Sequence, residues 1–187
     1  MTSVQELEIR PTEIDGLLIS TMKQVTDGRG TVREFFRRSA FEAAGLRVGP
    51  WVQVNVTETR RGALRGMHGE AMHKLVSVAA GEVFGAYVDA RPGSTSYGTV
   101  VTERLCPGTQ VLVPPGVCNG FQALAEGTQY LYCFDVEWAP DMDGVAICPF
   151  DPDLGIAWPL PVDRDDPDLV SAKDRDAPAL RDLGGGP

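Results

Sequence analysis

Trp51-Val52-Gln53-Val54-Asn55-Val56 alternates apolar and polar residues without a break, the two-residue period of a strand with one buried face. The pattern continues downstream. Lys74 to Ala79 and Glu82 to Ala90 are strand-like runs joined through Ala80-Gly81, and Tyr97 to Arg104, Thr109 to Val113 and Tyr130 to Val136 follow, each bounded by Gly or Pro. Short strands at this spacing predict an all-β sandwich or barrel. Upstream, Ser39-Ala40-Phe41-Glu42 has the spacing of a capping box and Gly45 suits a C-terminal stop, which predicts a short helix over Phe41 to Ala44.

The composition points the same way. A chain of 187 residues is close to the ~150-residue size of one domain, and its 21 glycines and 14 prolines favour many turns over a helical bundle. A single domain over residues 1–183 is expected, with a frayed tail at 184–187 (Gly184-Gly185-Gly186-Pro187). From Pro149 onward the sequence turns to Asp, Pro and isolated apolar residues, an irregular C-terminal stretch in which Trp158 and Leu160 are the candidate anchors.

Charge narrows the partners. With 17 Lys and Arg against 26 Asp and Glu the net charge is −9, which opposes binding to nucleic acid or to an anionic membrane. A few cations focused in one cleft can still hold a small phosphate. No window approaches the ~18 apolar residues of a membrane span. Cys106, Cys118, Cys133 and Cys148 lie far apart with no C-x-x-C pair, and Met1 to Arg10 lacks the pattern of an export signal. A cytoplasmic protein with reduced thiols is the expectation.

The chain has two histidines, His68 and His73, both within the turn-rich segment Leu64-Arg65-Gly66-Met67-His68-Gly69-Glu70-Ala71-Met72-His73-Lys74. A β-barrel metal site needs a close His pair, a carboxylate and a further His from a later strand. No later His exists, so no metal is expected. On spacing alone His68 reads equally well as a surface loop histidine. Arg65 and Lys74 nearby favour a role, because cations flanking a neutral imidazole suit an anionic substrate or a developing enolate.

At these residues the sequence resembles the deoxysugar nucleotide epimerases typified by dTDP-4-dehydrorhamnose 3,5-epimerase. The resemblance is collinear through Asp27-Gly28-Arg29-Gly30 with Glu34, Gln53-Val54-Asn55, Leu64 to His68, Lys74-Leu75-Val76, and Val88-Asp89-Ala90-Arg91 with Ser94 and Gly98. It goes on through Val113-Pro114-Pro115-Gly116-Val117-Cys118-Asn119-Gly120-Phe121, Tyr132 with Pro140, Ile156-Ala157-Trp158-Pro159 and Ser171-Ala172-Lys173-Asp174. It implies a jelly-roll, cupin-like β-sandwich that works without metal or other cofactor, as a homodimer whose N-terminal strand crosses to the partner. His68 would be the general base, Asp174 the carboxylate that orients it, Tyr132 the acid on the opposite face of the sugar and Lys74 the group stabilising the enolate. Arg65, Gln53 and Asn55 would contact the phosphates and nucleotide, with Arg29 and Glu34 at the nucleotide end, across the dimer. Without the resemblance, Tyr132 reads as a core tyrosine, Asp174 as a tail carboxylate and Lys74 as a solvated lysine at a strand start.

This chain also departs from the family. Where Ala-His-Gly-Phe is common it has Cys118-Asn119-Gly120-Phe121, where an aromatic pair precedes the Pro it has Glu137-Trp138, and the residue after the base is Gly69 rather than an aromatic. An amide can hydrogen-bond a sugar oxygen but cannot carry a proton as imidazole does. Asn119 and Trp138 therefore join the expected substrate contacts, and the variant resembles the single-site relatives that invert only C3. The expected substrate is dTDP-4-keto-6-deoxy-D-glucose, with epimerisation at both C3 and C5 as the alternative. A ketoisomerase of the same fold would need paired histidines that are missing, and a non-catalytic sugar-nucleotide binding module would need none of His68, Tyr132 and Asp174 as a set.

Overall fold

In the computed structural model, which describes residues 1–184, there are fourteen strands, six of them at the runs read from the sequence. They are β1 (Ser3–Gln5), β2 (Glu8–Pro11), β3 (Leu18–Thr21), β4 (Lys23–Asp27), β5 (Gly30–Glu34), β6 (Gln53–Thr59) and β7 (Leu64–Glu70). Then come β8 (Lys74–Ala80), β9 (Val83–Asp89), β10 (Val100–Leu105), β11 (Thr109–Val113), β12 (Val117–Ala123), β13 (Thr128–Phe134) and β14 (Gly144–Ala146). Helix α1 (Arg38–Ala43) precedes β6, and helix α2 (Ala172–Arg175) lies in the C-terminal stretch. Beyond Gly184, the frayed tail expected from the sequence falls outside the described residues.

Two antiparallel sheets face each other. One runs β2-β3-β11-β8-β13-β6 and the other β10-β9-β12-β7-β14, while β1, β4 and β5 form a separate three-stranded sheet. Between the two large sheets lies the main core, built from Ile19, Val76, Val78, Tyr87, Val111, Val113, Phe121 and Tyr130 among others. This is the cupin-like β-sandwich. A second apolar layer, including Met67, Cys118, Ile147, Leu154 and Leu180 with Trp158 packed on it, pins the C-terminal stretch to the outside of the five-stranded sheet. A third, around Phe41, Leu75, Leu112 and Cys133, seats α1 on the outside of the six-stranded sheet.

The register of the six-stranded sheet fixes what faces inward. Asn55, Tyr132, Val76 and Val111 stand in one cross-strand row, flanked by the rows Gln53-Phe134-Lys74-Val113 and Thr57-Tyr130-Val78. Val54, Cys133, Leu75, Leu112 and Leu18 form the adjacent row, which points out of the sandwich. The alternation that marked β6 is therefore real, but the face turned toward the other sheet is the polar one, with Gln53 and Thr57 half-buried and Asn55 exposed. Val52, Val54 and Val56 are 49%, 57% and 57% exposed, contrary to the expectation of a buried apolar face.

Other expectations need correction. The helix starts earlier than Phe41, with Arg37 at its cap and no side-chain capping bond, so Ser39 lies inside the first turn. Gly45 does end it, the bonds from Gly45 N–H to Glu42 O and from Leu46 N–H to Phe41 O closing the last turn. Leu64 to Glu70, taken for turns, is strand β7, and Val117–Ala123 is the fully buried strand β12 at the centre of its sheet. Glycines had masked both. No helix among the described residues is long and apolar enough to cross a membrane.

Candidate active site

Arg65 and His68 are three apart on β7, a spacing that would put them on opposite faces of a regular strand. A bulge reconciles them. Across the sheet Asn119 pairs with His68 and Phe121 with Arg65, so three steps on β7 match two on β12, and both side chains reach the same cavity. The extra residue falls at Gly66-Met67. Gly66 has φ +118°, and a Cβ there would lie 2.5 Å from the Gly120 Cα, so only glycine fits.

Asp174 comes from the other end of the chain. Ser171 caps α2 by accepting a hydrogen bond from Asp174 N–H at 3.1 Å, and this turn aims the Asp174 side chain at β7. One carboxylate oxygen lies 2.7 Å from His68 Nε2 and the other accepts from Gly66 N–H at 3.2 Å, so the same residue holds both the imidazole and the bulge. Burial pushes the Asp174 carboxyl up, but the bonds from His68 and Gly66 outweigh it and hold it below the ordinary carboxylate range. It is ionised. His68 Nε2 then carries the hydrogen, which leaves the Nδ1 lone pair free to accept a proton.

Tyr132 stands in the middle of β13 and also lines this space. Burial raises its phenol well above the usual value, so it keeps its proton at neutral pH. Two adjoining cavities of about 350 and 470 Å³ and a recess of about 50 Å³ all share His68 and Tyr132. The first is closed by Arg65, Leu169 and Lys173, the second by Asn55, Glu70 and Trp138, and the recess by Lys74, Asn119 and Phe121.

The recess holds an ion pair. Lys74, 3% exposed, donates from Nζ to Asn119 Oδ1 at 2.5 Å, to His68 O at 3.1 Å and to a Glu70 carboxylate oxygen. Burial pushes the Glu70 carboxyl up, but the Lys74 ammonium more than offsets this and keeps it below the ordinary range. Gln53 sits at the mouth, donating to Asn55 Oδ1 at 3.2 Å and accepting from Trp138 N–H at 2.8 Å.

His68, Asp174, Tyr132, Lys74, Arg65, Asn119, Asn55 and Trp138 thus meet around one space, with Gln53 against it. Arg29 and Glu34 do not. Arg29 pairs with Asp27 and Glu34 with Arg37 on or beside the three-stranded sheet, and neither lines a cavity with His68. Gly69 and Cys118, two of the positions at which the chain departs from the family, face away from this space: a Cβ on Gly69 would lie 2.8 Å from Cys118 Sγ. Burial also pushes the Cys118 thiol up to about 12, so it offers no nucleophile. Glu70 and Lys173 escaped the sequence reading, although Ser171-Ala172-Lys173-Asp174 carries the S-x-x-D capping pattern that fixes where Lys173 points.

An imidazole bonded to an ionised carboxylate and a protonated phenol lining the same cavity suit proton abstraction and return at one carbon. The model of the dTDP-4-dehydrorhamnose 3,5-epimerase family matches residues 11–182, and the chain belongs to that family. It is a carbohydrate epimerase, an isomerase. The dTDP-4-dehydrorhamnose 3,5-epimerase of Pseudomonas aeruginosa is 38% identical over 161 residues, 83% of this chain and 86% of that protein. The crystal structure of the 3,5-epimerase from Legionella pneumophila in complex with dTDP-4-keto-L-rhamnose superposes with a TM-score of 0.84 at 33% identity, covering 94% of each chain. A 3'-monoepimerase from Streptomyces bikiniensis in complex with dTDP-quinovose superposes at 0.85 with 31% identity, covering 94% of this chain and 90% of that one.

Proposed function

We propose that the chain inverts C3 of dTDP-4-keto-6-deoxy-D-glucose. The C4 ketone acidifies the C3 hydrogen. His68 Nδ1 removes it, the electron pair moves onto the C4 oxygen as an enolate, and Tyr132 returns a proton to C3 from the opposite face. The His68 proton then passes through solvent to the tyrosinate, which restores both groups. Lys74 supplies positive charge at the recess where the enolate oxygen forms. Arg65 holds the diphosphate, and Asn55, Gln53 and Trp138 border the path to the nucleotide.

The observation that carries this reading is the amide, Asn119, standing in the recess beside His68 and Tyr132 where the family commonly has a second imidazole. Inversion at both C3 and C5 is the second reading, favoured by the family model and by the Pseudomonas relative. Incubation with dTDP-4-keto-6-deoxyglucose in deuterated water decides between them. Label at C3 alone supports the first, label at C3 and C5 the second, and no label at all overturns both.

A second copy of this chain is the partner proposed for the outer face of β6. The row Val54-Cys133-Leu75-Leu112 is covered by α1 at one end and bare at β6, an edge strand, where Val52, Val54 and Val56 continue it into solvent. In such a homodimer Arg29 and Glu34 would serve the partner's nucleotide rather than their own. Sedimentation of the parent protein and of Val54→Glu tests this: a dimer that the substitution dissociates supports it, and a monomeric parent overturns it.

A further inference from the structure

The three hydrogens of the Lys74 ammonium are matched by three protein acceptors, His68 O, Asn119 Oδ1 and Glu70. An ammonium has three donors, so none remains for a substrate oxygen. Asn119 differs. Its Oδ1 is taken by Lys74, which turns its NH2 away from the ammonium; the buried Tyr130 hydroxyl interacts with the Asn119 amide, and of the two NH2 hydrogens it can take only one. Asn119 lines the recess beside His68 and Tyr132.

We propose that Glu70 is a positioning residue, clamping Lys74 against Asn119 so that the Asn119 NH2, polarised by the ammonium behind it, is the donor that meets the enolate oxygen. The inference rests on the epimerase reading above. Three strands enforce it: Glu70 ends β7, Lys74 begins β8 across a four-residue step, and Asn119 projects from β12 directly opposite His68. The step itself is tied down. Met72 is 1% exposed, and His73 bonds Asp135 through both its backbone N–H and its ring Nδ1, at 2.8 and 2.9 Å. Glu70 is the only one of the three acceptors that carries a charge, and without it Lys74 keeps two neutral partners and is free to swing.

The test is the rate of C3 deuterium exchange at saturating substrate, read beside dTDP affinity. Glu70→Ala should slow exchange by about 30-fold, less than the 10²–10³ of a lost oxyanion donor because Asn119 itself remains. Glu70→Gln, which keeps an acceptor oxygen, should recover most of that. Both variants should bind dTDP within twofold of the parent, whereas a merely structural role would lower affinity and melting temperature with the rate. Asn119→Asp keeps an oxygen for Lys74 but has no N–H to give when ionised, and should lose at least as much as Glu70→Ala. Exchange within twofold of the parent in either Glu70→Ala or Asn119→Asp would overturn the proposal while leaving the epimerase reading intact. A parent protein that exchanges nothing would overturn both.

Discussion

Asn119 lies directly opposite His68 where β12 pairs with β7, so the base and the amide share one face of the five-stranded sheet. Directly opposed residues of an antiparallel pair have Cβ atoms about 4.5–5.5 Å apart. That closeness gives the first prediction. Asn119→His would set a second imidazole beside the base, and slow exchange at C5 should appear in the labelling experiment. A variant that still exchanges only C3 would shift the selectivity to Trp138 or to the shape of the recess.

The dyad is separable from binding. His68→Asn should reduce C3 exchange on the order of 100-fold or more, the usual scale of lost general-base catalysis, with dTDP affinity unchanged. Asp174→Asn should lower the rate more than the affinity, since it frees the imidazole without touching a ligand contact. Calorimetric titration with dTDP, run beside the exchange assay, reads the two effects apart, and near-parent exchange in folded His68→Asn removes His68 from the mechanism.

Tyr132→Phe removes a protonated phenol from a strand that should otherwise fold unchanged. His68 can still abstract, so deuterium washout at C3 should persist while net inversion falls by a factor of ten or more, within the range for a lost general acid. Inversion at the parent rate would take the acid role from Tyr132.

Arg65 donates from Nε to Thr59 Oγ1 at 3.2 Å and faces the first cavity with the rest of its guanidinium. Arg65→Ala should weaken dTDP by about 1.5–3 kcal/mol if that group bonds the diphosphate. Affinity within twofold of the parent places Arg65 outside the phosphate site.

Acid should unfold the protein partly through Asp174 and Asp89. Asp89, 0% exposed, is held below the ordinary range: burial raises its carboxyl, and bonds from Arg91, Ser94 and Ser96 more than reverse this. A carboxyl lowered on folding contributes stability above its unfolded value near 3.8, and that contribution is lost as pH falls through the folded value. Urea midpoints should therefore hold from pH 6 to about pH 5 and drop as the pH falls below about 4, and Asp174→Asn should start lower at pH 6 but fall less. An equal drop in parent and variant would show that Asp174 has no share in it.

The alternating runs located β6, β8, β9, β10, β11 and β13, missed β1 to β5, β7, β12 and β14, and left β6 with the wrong face turned inward. Alternation in Trp51 to Val56 fixes a period but not which face turns inward, and only the register with Tyr132 and Phe134 sends Gln53 and Asn55 into the cavity. In β7 the difficulty is opposite, because the bulge at Gly66 breaks the period that would have revealed a strand. The roles ascribed to His68, Tyr132 and Asp174 came from resemblance. Their meeting around one cavity depends on contacts 106 residues apart in sequence for His68 and Asp174, which no local pattern contains. Glu70 was invisible for a related reason: nothing in its neighbourhood tells that a lysine four residues on will be buried.

Because Asp174 follows β14 in the chain, the pairing with His68 forms only after every strand of both large sheets has been made. A nascent chain that has reached only as far as β14 possesses every strand of both large sheets, with His68, Tyr132 and Arg65 on them, yet its imidazole lacks the Asp174 carboxylate. A product truncated before Ser171 would thus keep all the strands and lack the carboxylate that holds the His68 ring, and it is expected to turn over little.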